Sequence, residues 1–192
     1  MIIPSFLMPK MCYYSSAWNG GKNMEKKMSE SYTVKTSNVM PPDTNNHHTL
    51  YGGRLMAYID DVAAIAARRH SRSKVVTASI DSVDFLEPIH LGDVVILEAL
   101  VTHTGKSSME ILVKVSKEQL ENGTEKKLAA FSFLTFVALD DDLKPLEVPE
   151  LIPDNERLKW LDETGEERAE HRRHRRERSK ALREFFATDL FD

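Results

Sequence analysis

Cysteine is nearly missing from the 192-residue chain. Cys12 stands alone, so no internal disulfide can form and a reducing, cytoplasmic compartment is expected. Long apolar runs are missing as well. The apolar stretch at residues 1–9 is short, broken by Pro4 and Pro9, and preceded by no basic residue, which argues against a membrane span and a signal peptide. There is no excess of positive charge: the formal net charge of -4 gives no electrostatic ground for binding nucleic acid or a membrane surface. Metal ligands are sparse. His47 and His48 are adjacent, their side chains diverge, and no third ligand accompanies them, so no metal site is expected.

What the chain does have is the segment 52–70. It contains no proline, it is rich in Ala, Leu and Met, and its apolar residues recur at helical spacing, which predicts a helix. Apolar residues run nearly all round it, so the helix should be buried on most sides. Two acids, Asp60 and Asp61, sit at its centre, and buried carboxylates are rare unless paired or functional. Steps of three and four from Asp60 reach Gly53, Met56, Ala57, Ala63, Ala64 and Ala67, a small-residue face that another backbone could approach. Steps of seven from Asp61 reach Arg54 and Arg68, which suits a solvated or ion-paired role. Asp60 is therefore the candidate for chemistry, with an acid hydrogen-bonded inside the packing as the alternative. Gly52 and Gly53 open the helix and leave N–H groups pointing outward, a place suited to an oxyanion.

Residues 1–31 differ in character from the rest of the chain and read as an N-terminal extension, disordered or preceding a true start at Met24. Strands are expected at 32–40, 74–85, 93–102, 109–116 and 128–139, from β-branched content and alternation. Pro41-Pro42 ends the first, 43–51 is a polar loop, Gly105-Lys106-Ser107-Ser108 and Asn122-Gly123 are hairpin turns. The order predicts an α+β domain over 32–150, an antiparallel sheet wrapped on one long helix. One sheet covers one side of a helix, so the Asp60 face is expected to pack on a second copy. Residues 151–192 form a charged helical tail of interspersed opposite charges, expected to be solvated. Its His171-Arg172-Arg173-His174-Arg175-Arg176 run is flanked by acids and lacks interleaved aromatics, which argues against a nucleic-acid grip.

Several pieces in order carry a resemblance: Pro41-Pro42-Asp43-Thr44-Asn45, Leu50-Tyr51-Gly52-Gly53, Ile59-Asp60, Val75-Val76-Thr77-Ala78-Ser79-Ile80, Asp84-Phe85 with Pro88, Gly92-Asp93, the 105–108 turn, and Phe133 with Phe136-Val137-Ala138. Together they resemble the acyl-CoA hydrolase branch of the hotdog-fold thioesterases. The resemblance implies a hotdog fold, hydrolysis of acyl-CoA to the free carboxylic acid and CoA, active sites at a homodimer interface and, in many relatives, a trimer of dimers, a hexamer. It puts the catalytic acid on Asp60 and the loop asparagine that places the reacting groups on Asn45. Some relatives carry Asn or Asp where this chain has Thr49.

Helix geometry bears on that mechanism. Gly53 and Asp60 are separated by about 10 Å along one helix axis, whereas an oxyanion donor and a base must both lie about 3 Å from the reacting atoms. Two antiparallel helices across a dimer satisfy both. On this reading Gly52 and Gly53 polarise the thioester carbonyl, Asp60 acts as general base on water or as nucleophile, and Asn45 orients the water or carbonyl. Thiolate leaves readily, so neither cofactor nor metal is expected. The pantetheine arm would run along Val76, Thr77 and Ala78, and Gly105, Lys106, Ser107 and Ser108 would meet the CoA phosphates, with Lys106 as a plain exposed hairpin lysine the alternative. Two other functions compete: a hotdog hydratase or dehydratase, which generally needs a histidine that the helix lacks before His70, and a non-catalytic acyl-CoA sensor with the tail as output.

Overall fold

The computed structural model describes residues 25–120, 123 and 125–187. In chain order the elements are β1 (Glu25–Lys27), a 3-10 turn at Met28–Ser31, β2 (Thr33–Asn38), a second 3-10 turn at Pro41–Asp43, α1 (Gly52–Ser71), β3 (Lys74–Phe85), β4 (Val94–Thr104), β5 (Ser108–Glu118), β6 (Lys127–Leu139), β7 (Glu150–Ile152), α2 (Glu156–Glu163) and α3 (Gly165–Phe185). Five strands form one antiparallel sheet in the order β2-β4-β5-β6-β3, and β1 pairs in parallel with β7. This is the α+β hotdog arrangement, a sheet around a long helix.

Alternation decides which face of the sheet receives α1. Met109, Ile111, Val113 and Val115 of β5 point inward and are fully buried with Ile59, Val62, Ala63 and Ala66 of α1. Burying a side chain of this size stabilises by about 1.5–3 kcal/mol, so this contact fixes the helix to the sheet. Glu110, between Met109 and Ile111, points to the opposite face.

The end of α1 is secured by hydrogen bonds. Arg72 follows it in the left-handed conformation and returns its N–H to the Arg68 carbonyl. Lys26 of β1 donates from Nζ to the carbonyls of His70 (2.7 Å) and Arg69 (3.3 Å), which places an ammonium at the negative end of the helix dipole. His70 is itself buried, with Nε2 3.0 Å from the Pro149 carbonyl, and burial holds its imidazole below the usual histidine range.

Three expectations change. Residues 25–31, assigned to the extension, belong to the fold: β1 pairs with β7 and Met28 is fully buried. The remainder of the extension, with Cys12 and Met24, lies outside the described residues. Ala63 and Ala67, placed on the Asp60 face, pack on the chain's own sheet instead. A seven-residue step falls short of two full turns by about 20°, so over fourteen residues the stripe from Gly53 drifts under the sheet. The tail is not simply solvated, because α3 is held to the outer face of the sheet by ion pairs. No helix among the described residues is long and apolar enough to cross a membrane.

Candidate active site

The start of α1 is set by the loop before it. Pro41–Asp43 turns the chain, the Asp43 carbonyl accepts the Tyr51 N–H (2.8 Å), and the Asp43 carboxylate pairs with Arg54 Nε (2.8 Å). Asn45 lies inside this loop as its internal staple. Its side-chain oxygen accepts the N–H groups of His47 (2.9 Å) and Thr49 (3.3 Å), and its amide donates to Thr49 Oγ1 (3.0 Å). Thr49 thus fixes the orientation of Asn45, a role that sequence alone did not attach to it. The loop is stitched in turn to the segment after β3, through Leu50 N–H to the Ile89 carbonyl (2.7 Å) and Leu91 N–H to the His48 carbonyl (3.0 Å).

Tyr51 precedes α1 without a side-chain cap, and the N–H groups of Arg54 and Leu55 already return to its carbonyl. Those of Gly52 and Gly53 have no acceptor among the described residues, which leaves two donors at the positive end of the helix dipole. A Cβ on Gly53 would lie 2.6 Å from the Tyr51 ring, so the ring could not rest where it does; at Gly52 a Cβ would make ordinary contact with Phe85. Beside Gly52 opens a cavity of about 330 Å³ whose lining includes Thr49, Leu50, Leu55, Phe85 and Pro88. Its lining is chiefly apolar.

Asp60 sits two turns further along α1, partly exposed, on the stripe with Gly53, Met56 and Ala57 that the sheet leaves uncovered. Thr77 of β3 donates from Oγ1 to Asp60 Oδ1 (2.8 Å), which leaves the other carboxylate oxygen open. Asp61 behaves differently: it is exposed and paired with Lys35 of β2. Sequence singled out Thr77 for contact with substrate, not as the group that orients the acid. Its signal was its place on the strand that faces α1.

The 105–108 turn is tied down by backbone hydrogen bonds. Gly105 N–H reaches the Ser108 carbonyl (2.9 Å), the Ser107 carbonyl accepts Ala138 N–H (2.9 Å), and the Lys106 carbonyl accepts Val148 N–H (3.1 Å). The Lys106 side chain is 83% exposed, with its Nζ 3.3 Å from Glu147. Strand register puts Ser108, Val137 and Val76 in one row across β5, β6 and β3. The turn therefore lies at the same end of the sheet as Val76, Thr77, Ala78 and Asp60. Gly52 lies against Phe85, at the other end of β3. The predicted residues thus fall into two groups, Asp60 with 76–78 and 105–108 at one end, Gly52, Gly53 and Asn45 beside the cavity at the other. One chain does not join them. Among the described residues no cluster of three metal-ligating side chains occurs.

Residues 47–124 match the model of the thioesterase superfamily. The chain is 56% identical over 160 residues to YkhA of Bacillus subtilis, described as an uncharacterized acyl-CoA thioester hydrolase, a match covering 83% of this chain and 92% of that protein. Among solved structures it is similar to an acyl-CoA hydrolase of Staphylococcus aureus in complex with butyryl-CoA, CoA and CoA disulfide, at 48% identity and a TM-score of 0.81, covering 86% of this chain and all of the other. That enzyme has also been solved with an aspartate, an asparagine or a threonine replaced by alanine. A hexameric acyl-CoA thioesterase is similar at 46% identity and a TM-score of 0.77, over 80% of this chain and 97% of that one.

Proposed function

The chain belongs to the thioesterase superfamily, and from that footing we propose that it hydrolyses acyl-CoA thioesters to the free carboxylic acid and CoA at sites shared between two copies. The observation that carries the two-copy part is the split of the site between the two ends of β3. β3 is one of the two edge strands of the sheet, with β2 the other, and it is the edge that carries Thr77 and Phe85, so two copies can pair there antiparallel. Such pairing lays the Phe85 end of one β3 beside the Thr77 end of the other. It brings Gly52 and Gly53 of one copy toward Asp60 of the other, the union that the gap of about 10 Å within one helix calls for.

In the proposed reaction the thioester carbonyl oxygen rests on the N–H groups of Gly52 and Gly53, where the helix dipole favours the negative charge that develops. Asp60, held through one oxygen by Thr77, takes a proton from water with the other, and the hydroxide adds to the carbonyl carbon. The tetrahedral intermediate collapses with loss of the CoA thiolate. Asn45, fixed by Thr49, orients the carbonyl or the water. The acyl chain enters the cavity beside Phe85, and the 105–108 turn meets the CoA phosphates. No cofactor or metal takes part. In support, the aspartate, asparagine and threonine replaced in the Staphylococcus aureus enzyme have the same mutual spacing along the chain as Asp60, Asn45 and Thr77. A higher assembly, three such dimers, is part of the proposal, since similar enzymes are described as hexameric.

A thiol-release assay with short, medium and long acyl-CoA tests the reading. Asp60→Asn should abolish most turnover while the protein stays folded; wild-type turnover in that variant would remove Asp60 from the mechanism. Lys106→Ala should raise KM more than it lowers kcat, and an unchanged KM would return Lys106 to an ordinary surface lysine.

A further inference from the structure

α3 crosses the outer face of the sheet strand by strand and then leaves it. Gly165 lies against His103 of β4 so closely that a Cβ would come 2.3 Å from the ring. Arg168 reaches Glu110 of β5 (2.8 Å) and covers the Phe133 ring of β6 at 4.6 Å. Arg172 bonds Glu110 and also Asp81 of β3 (3.2 Å), and Arg175 closes the series on the Asp81 carbonyl (2.9 Å) and carboxylate (2.6 Å). β3 is the last strand. The rest of α3, residues 176–185, extends about 15 Å further at 1.5 Å per residue, roughly the width of three more strands.

The face turned to the sheet does not change character at random beyond that edge. Residues 168, 172 and 175 continue at helical spacing as Ser179, Leu182 and Phe186, and Leu182 and Phe186 are more than half exposed. Phe185 adds an edge-to-face ring at 5.4 Å from Phe186. Arg176, Arg178, Lys180 and Arg183 have no ion-pair partner among the described residues. The outer face of β3 presents the exposed Asp84, bonded to Ser82 of its own strand.

We propose that residues 176–186 form a strap that docks on the outer sheet face of a second copy, across paired β3 edges. Leu182 and Phe186 lie on that sheet, and the unpaired cations that flank this stripe, Arg176, Arg178 and Arg183, reach toward Asp84 of the second copy. The proposal rests on the two-copy site above. Two-fold symmetry makes the straps reciprocal, so each clamps the seam at which the active site is assembled.

An equal mixture of unlabelled and uniformly 15N-labelled full-length protein, exchanged and treated with a zero-length carbodiimide, reads the contact directly. In an R183K variant, peptides joining residue 183 to Asp84 should appear as mixed-isotope pairs about as often as same-isotope pairs. Only same-isotope pairs, or none joining these residues, would overturn the strap. The double variant L182D/F186D should raise the dimer dissociation constant about tenfold or more, equal to roughly 1.4 kcal/mol. Thiol release should then fall at nanomolar enzyme and recover at micromolar. An unchanged dissociation constant in a dimeric wild type overturns the strap alone. A wild type that sediments as a monomer at micromolar concentration overturns the two-copy site itself.

Discussion

α1 and α3 are nearly equal in length and lie on opposite faces of one sheet, yet they are held by different physics. α1 is fastened by shape: Ile59, Val62, Ala63 and Ala66 interlock with the inward residues of β5. α3 is fastened by charge: Arg168, Arg172 and Arg175 converge on Glu110 and Asp81, and Glu110 is completely buried beneath them. Apolar packing is insensitive to pH and tolerates a partly open face, which leaves Asp60 partly exposed. A buried charge cluster stabilises little over an apolar contact of the same size, but it is costly to break and dictates where the helix must lie.

The sharpest break of that contrast is Asp60→Asn. As loss of a general base, it should lower kcat by about 10²–10⁴-fold with an unchanged melting temperature, showing that α1 carries the reaction on a residue its packing does not need. Glu110→Ala should do the reverse. It leaves two arginines facing a buried void and should cost about 3–5 kcal/mol in urea unfolding, against about 2–5 kcal/mol for Ile59→Ala on the other face. The two variants differ in protease sensitivity, with early cleavage within 165–185 expected only for Glu110→Ala.

Acid should separate the two anchors by pH. Burial holds His70 below its ordinary value of 6.5, so the folded protein refuses a proton that the unfolded chain accepts, and stability declines as pH falls below that value. For Glu110, burial pushes the carboxyl up, but hydrogen bonds and charge from Arg168 and Arg172 outweigh it and hold it below its ordinary value of 4.5. Its contribution is complete above that pH and is lost as pH falls through the folded value. Unfolding free energy against pH should bend twice, and Glu110→Gln should erase the lower bend alone. The smallest effect belongs to Asp61→Ala. Its pair with Lys35 is exposed and should be worth less than about 1 kcal/mol, with turnover unchanged; a marked loss of turnover would mean that the two adjacent acids cannot be assigned separate roles.

Local signals made most of the fold legible. The expected helix at 52–70 is observed at Gly52–Ser71, and the expected strand at 74–85 is β3. Alternation along 109–116 sets Glu110 opposite the core-facing residues, and a polar residue so placed reads as solvated unless something covers it. The cover is Arg168, far along the chain, and no local pattern announces such a contact. β1 escaped for a similar reason, since three residues are too few to show a period and their partner is β7. In the candidate site, Asp60 and the glycines stood out in the sequence as an acid in an apolar helix and an uncapped helix start. The bonds from Thr77 to Asp60 and from Thr49 to Asn45 were not, because each depends on a hydroxyl rotamer set by tertiary packing.

The parallel clasp of β1 and β7, with Lys26 opposite Leu151, has a consequence for biosynthesis. A ribosome delivers β1 among the first structured residues and β7 after the whole sheet. Until then β1 has no ladder partner, and His70 lacks the Pro149 carbonyl that receives it. The nascent chain can fold α1 onto the sheet, but it cannot lock its own beginning in place before residue 152 has emerged. The clasp is thus the last part of the sheet layer to close, and a chain that stops short of residue 150 leaves β1 without a ladder partner.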